Sequence, residues 1–218
     1  MSKTSFLLAG CLLLASGAYA QTGRLTLGLE TGFGLASLRG SSAYNQLITV
    51  RPSTYQGLYV SWALNDRWFL RSGAGFSLNG SKQRGTVTFT DPNGVPTGTY
   101  HAHSNLPYLN VPLLAGVSFG PNKRLYALAG PYMGFLLSAH DTYDGHDATD
   151  TKHLYEQTDF GVMAGLGVQL PLNKRFHFTL EARDALGLSN ISKPASGLGY
   201  PPLKNNAAHL IIGVNYKL

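Results

Sequence analysis

With 218 residues, 44% hydrophobic and only 13% charged, the chain suits a single domain that buries a large area in a core or in lipid. Beyond the N-terminus no apolar run reaches the roughly 18 residues of a spanning helix. The nearest, Leu125 to Ala139, is broken by Gly130, Pro131 and Gly134, which excludes a helical membrane protein. The formal charge of +6 comes from residues that are scattered or sit in turns, with no basic run interleaved with aromatics, and this excludes a nucleic-acid partner.

Lys3, the apolar stretch Phe6 to Ala15 and the small-residue site Ala18-Tyr19-Ala20 read as an export signal over residues 1–20. Residues 21–218 then form the mature domain. A second reading of the same stretch is a lipoprotein box, Leu8-Ala9-Gly10-Cys11, with Cys11 acylated. It shortens the hydrophobic region and strands Leu12 to Leu14 in the mature chain. Cys11 is the only cysteine, so no intramolecular disulfide can form.

From Arg24 onward the hydropathy alternates. Leu25, Leu27, Leu29, Phe33 and Leu35 share one face, and Arg24, Thr26, Gly28, Glu30, Gly32 and Gly34 the other. Leu58, Val60, Trp62 and Leu64 repeat the pattern, as do Trp68, Leu70, Ala74, Phe76 and Leu78 against Phe69, Arg71, Gly73 and Ser77. A fourth strand sets Leu109, Val111, Leu113 and Val117 against Tyr108, Asn110, Pro112 and Gly116. The fifth, Leu125 to Ala139, is apolar on both sides. In the sixth, Phe160, Val162, Ala164 and Leu166 oppose Asp159, Gly161 and Gly165, and in the seventh Phe176, Phe178, Leu180 and Ala182 oppose His177, Thr179, Glu181 and Arg183. The last strand carries Leu210, Ile212, Val214, Tyr216 and Leu218 on one face, with Ile211 breaking the alternation and Lys217 on the other face.

Three connections are short, polar and alike (65–67, 121–124, 172–175), four are long (37–54, 80–104, 140–157, 189–206), and the two kinds alternate along the chain. This predicts an all-β fold, an eight-stranded antiparallel up-and-down barrel with both termini and the short turns at one end and the long loops at the other. The alternative is a soluble, lipocalin-like barrel, with its apolar face inward. If the greasy face points out, the inward set holds Glu30, Arg71, Asp159, Glu181, Arg183 and Lys217, an inversion that lipid demands and water forbids. These six are the expected interior charge network of a transmembrane barrel.

Tyr108-Leu109-Asn110-Val111-Pro112-Leu113-Leu114, Gly130-Pro131-Tyr132-Met133-Gly134, Asp159-Phe160-Gly161 and Leu180-Glu181-Ala182-Arg183, followed by Gly187-Leu188-Ser189-Asn190-Ile191, together resemble the outer-membrane β-barrel domain family common in Bacteroidetes, which includes PorT-like proteins. The resemblance spans nearly the whole mature chain. It implies a monomeric outer-membrane barrel set in lipid, with periplasmic termini and short turns, extracellular long loops, no shared catalytic set and no cofactor, and secretion-linked assembly as one attested role. Two positions depart from the family pattern. Asn110 stands where an acidic residue is usual, which removes an expected interior charge. Asp184 stands where an aromatic is usual, so it is expected to have left the lipid-facing register near the rim.

Other candidate sites carry less. His101, His103 and Ser104 bring a His and a Ser together before the fourth strand, as outer-membrane lipid-modifying enzymes do, but His101 has His103 two residues on where a Ser is needed. The link 140–157 carries Asp141, Asp144, His146, Asp147, Asp150 and His153 without zinc or EF-hand spacing. Pro112 and Pro131 fall near cross-strand register, which predicts a bulge or, on a sharper reading, a weak seam for a partner or lipid. For function the residues leave two readings. One is a barrel whose lumen is filled by its own side chains and whose loops and outer face bind envelope or secretion partners. The other is a small solute channel, favoured by the many inward glycines.

Overall fold

The computed structural model describes residues 24–143, 147–193 and 202–218. The expected export signal and Cys11, and Asp144 and His146 of the acidic link, lie outside them. In chain order the elements are β1 (Leu25–Arg39), α1 (Ser42–Leu47), β2 (Ile48–Thr49), β3 (Arg51–Ala63), β4 (Trp68–Gln83), β5 (Val87–Thr90), β6 (Pro96–Tyr100) and β7 (Ala102–Phe119). They continue with β8 (Leu125–Leu136), β9 (His140–Tyr143), β10 (Thr149–Asp150), β11 (Thr158–Pro171), β12 (Phe176–Gly187) and β13 (Lys204–Lys217).

Eight strands close a ring in the order β1-β3-β4-β7-β8-β11-β12-β13, with β13 returning to β1 and every neighbour antiparallel. Followed once around the ring, the register runs Leu25, Trp62, Leu70, Ala115, Ala129, Ala164, Asp184, Ala208 and back to β1 at Leu35, ten residues beyond its start. For eight strands at about 4.8 Å spacing and about 3.3 Å per residue, that stagger tilts the strands by roughly 40–45°. The lumen is correspondingly narrow.

The alternation decides which face meets what. Leu29 is 68% exposed and Phe33 76%, whereas Glu181 is 2% and Arg71 6%. A chain with leucine and phenylalanine outside and paired charges inside is stable only where the outside is hydrocarbon. Aromatics mark the edges of this belt: Trp62, Trp68, Phe119 and Phe176 face out near the short turns, Phe135 and Phe160 towards the other end. Ile211, which broke the hydropathy pattern, keeps the pleat and points inward at 2% exposure.

The short turns show why they are alike. The side chain of Asn65 accepts from the backbone of Arg67 and Trp68, and that of Asn173 accepts from Arg175 and Phe176 in the same way. In the remaining turn Asn122 and Lys123 hold φ of 56° and 53°, the left-handed values that asparagine tolerates best.

Four expectations need correction. The long links are shorter than the hydropathy implies: β1 runs to Arg39, β4 to Gln83 and β7 starts at Ala102, while β9 pairs with β7 from Ala102 to Asn105. Beyond the lipid belt the outer face no longer has to be apolar, so alternation fades while pairing continues. No bulge forms at the prolines either. The β7–β8 ladder lapses between Pro112 and Ala115 and resumes in the same register, and the β4–β7 ladder lapses at the same place. There Ser72 Oγ donates to the Pro112 carbonyl at 2.8 Å, and Gly130 lies so close to the Leu113 carbonyl that a Cβ would not fit. Asp184 has not left its register, because it sits outward and exposed in an unbroken run with Leu180 and Ala182, between Ala164 and Ala208 of the neighbouring strands. Lys217 has the inward parity but pairs with Thr26 at the strand's end and is exposed, so it never enters the lumen.

Candidate functional site

Inside the ring, β1, β4 and β12 place Glu30, Arg71, Glu181 and Arg183 on inward positions at overlapping depth, and side chains from opposite walls meet. Arg71 Nη1 donates to Glu181 Oε2 at 2.8 Å, and Arg183 grips Glu30 with Nη1 at 2.9 Å and Nη2 at 3.0 Å. Arg183 Nε also pairs with Glu181 Oε1, which joins the four residues into one network of two cations and two anions. Tyrosines complete it: Tyr55 Oη donates to Glu30 at 2.9 Å, Tyr126 Oη to Glu181 at 2.8 Å, and the Arg71 guanidinium lies 4.1 Å from the Tyr59 ring centre. Each carboxylate thus meets arginine and a phenol, the arrangement that makes a buried ion pair tolerable.

The space at the inward glycines is occupied by neighbouring side chains. A Cβ on Gly28 would overlap the Tyr59 ring, on Gly75 the Tyr55 hydroxyl, on Gly116 the Phe69 ring and on Gly167 the Tyr126 ring. Their missing side chains are the niches into which the lumen's aromatics fold.

Asp159 stands apart from the network. At 1% exposure it accepts from Tyr132 Oη at 2.9 Å, Asn205 Nδ2 at 3.0 Å and Ser189 Oγ at 2.7 Å, three neutral donors with no arginine or lysine paired to it among the described residues. Asn110 likewise joins a neutral chain, donating to Ser77 Oγ at 2.8 Å. Sequence reasoning missed Tyr55 and Tyr126 as network members. Tyr126 was hidden in the run apolar on both faces, though counting two residues back from Leu128 along the strand places it inward.

The two ends of the lumen differ. At the long-loop end an apolar cluster fills the bore: Leu38, Leu106, Tyr108 and Leu136 from the strands pack with Tyr155, Ile191 and Leu203 from the links, and Tyr44 and Ile48 lean on it. At the short-turn end a polar recess of about 150 Å³ reaches in as far as Arg71.

Above the apolar cluster, Ser104 Oγ donates directly to Asp141 Oδ1 at 2.6 Å. Burial raises the Asp141 carboxyl above its usual range, opposed by the Ser104 hydrogen bond and by His103 and His140. No hydrogen bond joins His103 to Ser104 among the described residues, and His101 Nδ1 contacts the Gly85 carbonyl at the surface. A serine that donates to a carboxylate with no imidazole between them is not set up as a nucleophile. No cluster of three or more metal-capable side chains occurs among the described residues.

The sequence matches the outer membrane protein β-barrel domain family over residues 19–193. The chain belongs to this family. Solved structures of small outer-membrane barrels align with it. Neisserial surface protein A aligns with a TM-score of 0.50 at 11% identity over 89% of this chain and 97% of that one. OprG of Pseudomonas aeruginosa aligns at 0.48 and 17% identity over 90% and 97%, and Ail of Yersinia pestis at 0.41 and 14% over 90% and 99%. Among curated proteins no sequence relative is found. Family, closed ring and inverted polarity together make this an outer-membrane β-barrel protein.

Proposed function

We propose that the chain is a non-enzymatic barrel with a blocked lumen, acting through its long loops and outer surface as an interaction, assembly or secretion-linked component of the envelope. One observation carries this reading: the bore is crossed by the Arg71–Glu181–Arg183–Glu30 network and stopped above it by the apolar cluster around Leu106 and Tyr108. A solute would have to break buried ion pairs and then pass through hydrocarbon. The alternative, a small channel, draws its support from the polar recess at the short-turn end. Planar-bilayer recordings of the purified protein should show no steady conductance. Reproducible channel steps that change with Arg71→Ala would favour the channel.

In this reading the long loops are extracellular and the short turns periplasmic. Ser42, Thr149 and Asn173 are all exposed. Cysteines at Ser42 and Thr149 should react with an impermeant maleimide on whole cells, and a cysteine at Asn173 should not. The reverse pattern would invert the orientation.

A further inference from the structure

The recess at the short-turn end reaches in to Arg71 and is lined by Ser61, Ser118, Gln169 and Asn215, with Arg67 of the first short turn at its lip. Each of these side chains can donate a hydrogen bond. Arg71 is 6% exposed, and although its Nη1 is committed to Glu181, its Nε has no partner among the described residues. Asp66 also lines the recess, but its carboxylate is tied to Lys123 Nζ at 3.0 Å.

Around this lip the charge is one-sided. Every short turn carries exposed cations, Arg67 in the first, Lys123 and Arg124 in the second, Lys174 and Arg175 in the third. Arg24 and Lys217 add two more where the first and last strands meet, and Asp66 is the one acidic side chain on these turns. The inner network holds two arginines and two glutamates, so it neither adds to nor cancels the positive field of the rim. A small, donor-lined concavity in such a field concentrates anions, and several donors converging from different walls suit a tetrahedral oxyanion better than a planar carboxylate.

We propose that this recess binds a phosphate oxyanion, held by Arg67 and the wall donors over the Arg71 floor. Its source is free phosphate or the headgroup of an anionic phospholipid in the leaflet that the short turns face. The site needs only the recess, so it stands whether or not the lumen conducts.

The test uses the full chain folded in zwitterionic detergent, titrated with inorganic phosphate by calorimetry and by NMR of the Arg71 Nε–H and Gln169 side-chain amide. Saturable one-site binding should shift both signals. It should weaken about tenfold in Arg67→Gln, the factor equivalent to about 1.4 kcal/mol, and by less in Arg175→Gln, whose cation lies outside the recess. Repeating the titration in vesicles separates the sources. Phosphate binding retained in phosphatidylglycerol vesicles, as in phosphatidylcholine, identifies the free ion; binding abolished only in phosphatidylglycerol identifies the lipid headgroup. Two results overturn the proposal: no saturable binding in detergent or in phosphatidylcholine, or equal displacement by chloride at matched ionic strength with Arg67→Gln and Gln169→Ala both indistinguishable from wild type.

Discussion

The middle of the lumen and its long-loop end lie inside one ring of strands, yet one is crossed by ion pairs and the other filled with hydrocarbon. The charged layer lies at the depth of the outward leucines and phenylalanines. There the contrast between faces sets strand register, since a slip of one residue would turn Glu181 or Arg183 towards lipid. An apolar filling at that depth would erase the contrast. Further along, the strands leave the lipid belt and links fold inward, bringing Tyr155, Ile191 and Leu203 over Leu106 and Tyr108. That region is a small soluble-type core, free to be apolar because no lipid lies outside it. Interior polarity here follows from what surrounds the wall at each depth.

Removing one acid from the charged layer should have the largest effect. Glu181→Ala leaves Arg71 and Arg183 without a shared acceptor and Tyr126 without its bond, and deleting one partner of a buried ion pair costs about 3–5 kcal/mol. The urea midpoint of unfolding from vesicles should fall by a corresponding amount. Leu106→Ala removes a fully buried side chain from the apolar end, for which about 2–3 kcal/mol is expected near the low end of the range for such truncations, because links can partly collapse into the space. Its effect should concentrate in hydrogen exchange of β7 and β9, leaving β12 protected. A larger global loss for Leu106→Ala than for Glu181→Ala would show that the hydrocarbon end, and not the charged layer, holds the barrel closed.

What the sequence made legible follows from the same physics. Lipid enforces a period of two, so Leu27, Leu58, Leu113, Leu166 and Leu210 announced their strands, and the barrel, its eight strands and five of the six interior charges could be read from the chain, four of them in one network. Parity says which face a residue takes but not how far along the bore it sits. Lys217 has the inward parity and yet lies past the rim, and Asp159 is inward but at a depth where only Tyr132, Asn205 and Ser189 can reach it. The two prolines looked like a bulge because bulges usually accommodate lost donors, whereas here the ladder lapses without a change of register. Half of the apolar end was hidden because Tyr155, Ile191 and Leu203 come from links with no periodicity, while Leu38, Leu106, Tyr108 and Leu136 continue inward runs of the strands. Asp184 is outward in a belt of apolar side chains, where Arg39 at the end of β1 is the charge that favours its ionised form.

A smaller test asks whether the charged layer is packed as tightly as it is bonded. Gly167 lies beneath the Tyr126 ring, so Gly167→Ala must push the ring away from Glu181; overfilling of this kind costs about 1–3 kcal/mol. In Gly167→Ala combined with Tyr126→Ala the clash is absent, and the loss should fall short of the sum of the two single changes. Additive losses would place the strain elsewhere than on the ring.

The smallest expected effect belongs to the other end and is read by pH. Burial raises the Asp141 carboxyl, and the Ser104 bond with His103 and His140 only partly offsets that. The native state therefore holds its proton to higher pH than the unfolded chain does. Between those two values the native state binds more protons, so the local contribution to stability is greatest at the acid end and declines as pH rises through the raised value. Hydrogen-exchange protection factors, corrected for the intrinsic pH dependence of exchange, should be highest at mildly acidic pH for β9 and its partner residues 102–105 on β7 and fall as Asp141 ionises, with the charged layer unmoved. Asp141→Asn keeps an acceptor for Ser104 without the charge and should flatten that dependence; an unchanged slope in the variant would show that the dependence does not come from Asp141.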